Sequence, residues 1–169
     1  MNKRIILYIL LAIIAVFCMS LKPKEIKHID YVEILQIKNR NLLPILDSII
    51  DHEKHCVYYR PDLYFSINSR TENDTITVHI EGFAFLIEKT DYKGCFEYKG
   101  HWFFINGQEI YKNVFAKTNK KKAFEFHKPA YITDDGKLVL VVYEDDSFCY
   151  WIYYYINNEF IFNMMYDPY

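Results

Sequence analysis

The feature that most constrains this chain is its last apolar block, Leu138 to Tyr166, in which two aromatic runs flank a pair of asparagines. Phe148 to Ile156 reads FCYWIYYYI and Phe160 to Tyr166 reads FIFNMMY, both rich in the aromatic and β-branched side chains that suit a pleated surface. Asn accepts positive φ more readily than other non-Gly residues, so Asn157-Asn158 predicts a two-residue hairpin turn. With Leu138 onward as a further strand, the block predicts three strands of an antiparallel sheet that earlier segments extend and cover.

The turn fixes a register, because antiparallel partners are equidistant from it. Ile156 then pairs with Glu159, Tyr155 with Phe160, Tyr153 with Phe162 and Trp151 with Met164, and Cys149 and Tyr166 continue the set. This face is the expected core. The opposite face collects Tyr150, Ile152, Tyr154 and Ile156 beside Ile161, Asn163 and Met165, a mixture of apolar groups and hydrogen-bonding heads. Tyr150, Ile152, Tyr154 and Ile161 are the candidate binding residues, since contiguous apolar surface and Tyr are both marks of recognition faces.

At the other end, Met1 to Arg4 is short and basic, and Ile5 to Leu21 is apolar except for Ser20. As a helix rising about 1.5 Å per residue, this stretch spans roughly 26 Å, between a long signal-peptide core and a short anchor. Residues 1–21 are therefore read as a signal peptide or membrane anchor, preferably uncleaved, which places the rest at the membrane or exported to the cell envelope. The segment Ala15 to Cys18 approaches a lipobox, but bulky Phe17 precedes the Cys. Residues 22–30 read as a polar linker, and residues 31–169 as a single folded domain.

Within that domain, Tyr31 to Ile37 is expected as a strand and Leu42 to about His55 as the principal helix, with Asn41 as N-cap and Pro44 in the first turn. Leu42, Leu43, Ile45, Leu46, Ile49 and Ile50 follow the helical period and leave Asp47, Asp51, Glu53 and Lys54 facing water. Hairpins are expected around Asn73-Asp74 and Lys99-Gly100, a bulge at Gly82 and a short helix near Ile110 to Phe115. Lys120 to Lys122 reads as a basic loop before a short strand, Ala123 to Phe126, and Asp134-Asp135-Gly136 as a turn.

These elements predict an α+β fold, with one main helix packed across a twisted antiparallel sheet, a meander of about six to eight strands, preceded by a membrane-directed N-terminal helix. The order of elements from Tyr31 to Tyr166 resembles the cystatin-like and nuclear-transport-factor-like plans, in which a curved meander cradles a helix. The resemblance rests on no shared motif and implies no activity.

Composition narrows the function. Hydrophobic residues make up 51% of the chain and charged residues 25%, which excludes a disordered protein. A net charge of −2 leaves no electrostatic footprint for nucleic acid. His52, Glu53 and His55 attract attention as metal ligands, yet the two histidines stand three apart rather than four and have no marked third partner. Of Cys18, Cys56, Cys95 and Cys149 none forms a C-x-x-C pair, and a disulfide among the last three remains open. Cys149 lies on the expected core face, where a thiol is normally inert. No catalytic residues, metal site or cofactor are assigned. The favoured reading is a non-catalytic binding module, tethered or exported, that recognises a protein or peptide partner through its aromatic sheet face, or else associates with itself. The alternative is a small hydrolase or metal-dependent enzyme built from scattered His, Cys and acidic residues.

Overall fold

A computed structural model describes residues 27–55, 63–83, 92–127, 130–132, 138–140 and 149–167. The segment expected to be membrane-directed, Cys18, Cys56 and the expected turn at Asp134 to Gly136 lie outside the described residues. Among the described residues no helix is long and apolar enough to cross a membrane. The chain divides into two compact units, residues 1–26 with 128–143, and residues 27–127 with 144–169.

In the first unit, β7 (Ala130–Ile132) and β8 (Leu138–Leu140) pair antiparallel as a two-stranded sheet of their own. β8 therefore does not join the sheet of the terminal hairpin, and the expected three-stranded block is really two strands.

Among its described residues the second unit holds eight strands, namely β1 (Lys27–Ile37), β2 (Tyr64–Glu72), β3 (Thr75–Phe83), β4 (Gly94–Tyr98), β5 (His101–Asn106), β6 (Phe115–His127), β9 (Tyr150–Ile156) and β10 (Glu159–Tyr166). They lie in the order β10-β9-β3-β2-β5-β4-β1-β6. Two contacts are parallel: β2 runs beside β5 from Tyr64↔Trp102 to Asn68↔Asn106, and β1 meets β4 at Ile34↔Cys95. The expected antiparallel meander under one main helix is thus overturned. Among the described residues the fold is a large mixed sheet, with one short helical segment (a 3-10 turn at Arg40–Leu42 running into α1, Leu43–Glu53) and a single further turn, α2 (Tyr111–Val114). The cystatin-like and nuclear-transport-factor-like plans fall with the meander. Sequence alternation identifies the hairpins β2–β3, β4–β5 and β9–β10; it carries no information on which hairpins sit side by side.

The turns take the conformations that their residues favour. Asn73 and Asp74 have φ of 49° and 62°, Lys99 and Gly100 48° and 84°, and Asn157 and Asn158 52° and 66°. Each pair is the double positive-φ turn whose twist matches a right-handed hairpin. The helical segment starts where the Asn39 side chain, not that of Asn41, accepts the backbone N–H of Asn41 at 3.0 Å. Gly82 makes no bulge, since Phe65↔Gly82 sits in an unbroken ladder. The expected basic loop is instead part of β6, which pairs along β1 with a register shift opposite Ile34/Leu35.

One face of this sheet carries Phe65 and Ile67 of β2, Val78 and Ile80 of β3, Phe103 and Ile105 of β5, and Trp151, Tyr153 and Tyr155 of β9, all buried in one cluster. Leu42, Leu46, Ile49 and Ile50 belong to the same cluster and are at most 2% exposed. Glu53, expected in water, is 2% exposed as well. A second buried cluster, Val32, Cys95, Phe104, Phe124 and Phe126, joins β1, β4, β5 and β6. Its residues alternate along their strands with members of the first cluster, so they face the other way.

Candidate functional site

The β9–β10 hairpin begins in the expected register and departs from it after four pairs. Glu159↔Ile156, Phe160↔Tyr155 and Phe162↔Tyr153 hold, but a shift between Phe162 and Met164 brings Met164 to Ile152, Met165 to Trp151 and Tyr166 to Tyr150. Asn163 is the inserted residue. A β-bulge of this kind sends every later side chain to the opposite face. Met165 thus takes the core-face position expected for Met164, and Tyr166 joins the outer face, where its ring stacks on Tyr150 at 5.0 Å.

All four candidate binding residues lie on this outer face. Tyr150, Ile152 and Tyr154 are half-buried, in alternation with buried Trp151, Tyr153 and Tyr155, while Ile161, across from Tyr154, is 46% exposed. Met164 and Tyr166 stand beside them through the bulge. On β10 itself Ile161, Phe162, Met164, Met165 and Tyr166 are all exposed, Phe162 the most at 58%. Among the described residues β10 has a neighbour on one side only, β9. The opposite edge of the sheet is protected differently: β6 presents the exposed Lys117, Lys120, Lys121 and Lys122, and charged lysines are a usual means of keeping an edge from pairing with foreign strands.

Next to the apolar patch, β3 continues the same face with polar groups. Glu81 pairs with Tyr150 and His79 with Ile152. Glu81 Oε1 accepts from Ser66 Oγ at 2.8 Å and from Asn68 Nδ2 at 3.2 Å, which satisfies the buried Ser66 hydroxyl and the half-buried Asn68 amide. Asn68, Ser69, Arg70, His79, Glu81, Asn106 and Gly107 surround a hollow of about 400 Å³. Burial holds the His79 imidazole below its ordinary value, nearby Arg70 adds to this, and Glu81 opposes it. Gly107, at φ 89°, closes one end, and a Cβ there would run into the Ser69 carbonyl. The polar hollow was not legible from the sequence, because Asn68 and Asn106 meet only through the parallel β2–β5 contact.

The bulge has a second effect at the open end of the hairpin. Once Tyr166 pairs with Tyr150, the next residue on each strand is Asp167 and Cys149, which an uninterrupted register would not bring together. His52, from the last turn of α1, reaches the same point. Its Nε2 lies 3.7 Å from Cys149 Sγ and 3.3 Å from Asp167 Oδ2, and the three donor atoms all fall within 4.8 Å of one another. The Trp151 ring meets the imidazole edge to face at 5.7 Å. Cys149 is buried, His52 half-buried and Asp167 exposed. Sequence reading tied His52 to its neighbours instead: Glu53 is buried, and His55 Nδ1 faces the Asp51 carbonyl at 2.7 Å. Cys95 is a free, buried thiol. Burial pushes the Cys95 thiol up to about 12 against the pull of Lys122, which leaves it unreactive.

No family model, curated protein or solved structure matches this chain.

Proposed function

We propose that this protein is a non-catalytic binding module, brought to a membrane or the cell envelope by its N-terminal segment, that recognises an apolar segment of a protein or peptide on the β9–β10 face. The observation that carries this reading is the set of exposed apolar side chains that β10 places on the outer face, Ile161, Met164 and Tyr166, beside Tyr150, Ile152 and Tyr154. Contiguous patches of this kind are uncommon on surfaces that bind nothing. The surroundings fit as well, since recognition surfaces place a polar rim around an apolar centre, and the Asn68–His79–Glu81 hollow borders the patch on β3.

The bulge bears on the manner of recognition. An unbroken outer ladder on β10 would invite a second copy to extend the sheet, whereas a bulge interrupts the ladder and raises the local twist. Side chains, not backbone pairing, therefore carry the contact. The test places a photo-crosslinking phenylalanine analogue at Ile161, or at Lys121 on the opposite edge, in full-length protein within its native membrane fraction. A single adduct from position 161 and none from position 121 is the expected result. Equal labelling at both positions, or none at 161, overturns the proposed face.

A further inference from the structure

We infer that His52, Cys149 and Asp167 form a binding site for a divalent transition metal of the zinc class. The first ground is geometric. With Zn–S of about 2.3 Å and Zn–N and Zn–O of about 2.0 to 2.2 Å, neighbouring donors around a tetrahedral ion stand about 3.3 to 3.6 Å apart. The separations of 3.3 Å between His52 Nε2 and Asp167 Oδ2 and 3.7 Å between His52 Nε2 and Cys149 Sγ lie at or just beyond those tetrahedral edges.

The second ground separates a metal from a catalytic triad. In a Cys-His-Asp triad the thiol and the carboxylate sit on opposite nitrogens of the imidazole, so that one end takes the proton while the other is held. Here both groups address the same nitrogen, Nε2. A nitrogen with one hydrogen serves two such partners poorly. A cation placed among the three donors serves all of them through the neutral imidazole lone pair, the thiolate and the carboxylate.

The third ground is the donor set. A thiolate with an imidazole selects borderline-soft ions such as Zn²⁺ or Co²⁺ and disfavours Mg²⁺ and Ca²⁺, which prefer all-oxygen shells. The donors are also well supported, by the last turn of a helix, the base of a strand and the residue after its bulged partner. Trp151 fixes the imidazole plane from the edge. Cys149 lies on the dry side and Asp167 on the wet side, so any fourth ligand comes from solvent or from a donor outside the described residues.

The test uses Co²⁺ as an optical probe in the full-length protein. One equivalent per chain, with visible bands and a near-ultraviolet thiolate-to-cobalt band that Zn²⁺ displaces, is the expected result. Cys149→Ser should abolish the thiolate band, Asp167→Asn should weaken binding by about 10-fold or more, and Cys95→Ser should leave both unchanged. If Cys149→Ser fails to fold, Asp167→Asn decides, because its side chain is on the wet side. A wild-type protein without a thiolate band, a band that survives Cys149→Ser, or full affinity in folded Asp167→Asn each overturns the site.

Discussion

Met165, and not Met164, lies across the hairpin from Trp151. One inserted residue, Asn163, produces this pairing, and the same shift stacks Tyr166 on Tyr150 and brings Asp167 beside Cys149 and His52. The apolar outer face and the cluster at the hairpin's open end therefore share a single structural cause.

Deletion of Asn163 should remove the bulge and leave the later pairs in place, with Met164 across from Ile152, Met165 across from Trp151 and Tyr166 across from Tyr150, because it removes the one unpaired residue of the ladder. The protein is expected to fold with a change within about 1 kcal/mol in urea melts, since no later side chain is forced to the other face. The Tyr150–Tyr166 ring contact should persist in proton NMR spectra, together with the cobalt–thiolate band. A folded deletion variant that loses the ring contact shows that Asn163 is not the inserted residue.

Much of the local structure is legible in the sequence, since alternation and paired asparagines report faces and turns directly. Trp151, Tyr153 and Tyr155 are buried on the face that their alternation marks, and the positive-φ turns fall at Asn73-Asp74, Lys99-Gly100 and Asn157-Asn158. Three things are not legible. Parallel contacts such as Tyr64↔Trp102 join residues that no short-range pattern relates. A bulge at an Asn inside an apolar run has no signature that distinguishes it from a regular position. Convergence of His52 with Cys149 and Asp167 requires both the helix placement and the bulge, so a reading that looked for partners on one helix turned to Glu53 and His55.

Leu46→Ala should cost about 2 to 5 kcal/mol in denaturant melts, the range for an aliphatic side chain removed from a packed interior, because Leu46 is completely buried. Ile45 is only partly buried against the same cluster, so Ile45→Ala should cost clearly less. Equal losses at both positions would mean that the two faces of α1 are not distinguished by packing.

His79 gives a pH dependence whose sign is fixed by its environment. Its folded value lies below the ordinary 6.5, chiefly through burial, so the unfolded chain takes up the proton first. Stability should therefore be at its plateau above that ordinary value and decline as pH falls from it toward the lowered folded value. His79→Gln should flatten this limb in melts followed across pH. An unchanged limb assigns the decline to other groups.

Lys120→Val combined with Lys121→Val should turn β6 into an adhesive edge. The lysines are exposed on the terminal strand of the sheet, and their charge opposes docking of a foreign strand. Size-exclusion chromatography should show concentration-dependent association of the double variant and none attributable to this edge in the parent. Identical elution profiles would remove the protective role.

The most direct measurement of the proposed role is the double substitution Tyr154→Ser with Ile161→Ser, read for folding and for association together. Tyr154 is half-buried and Ile161 is 46% exposed on the outer face, paired across the hairpin. The urea midpoint should move little, while capture of the partner crosslinked at position 161 should fall at least about 10-fold, as expected when about 1.4 kcal/mol or more of contact energy is removed from the centre of an interface. Unfolding of the variant would show that this face belongs to the core, and undiminished capture by a folded variant would show that recognition lies elsewhere.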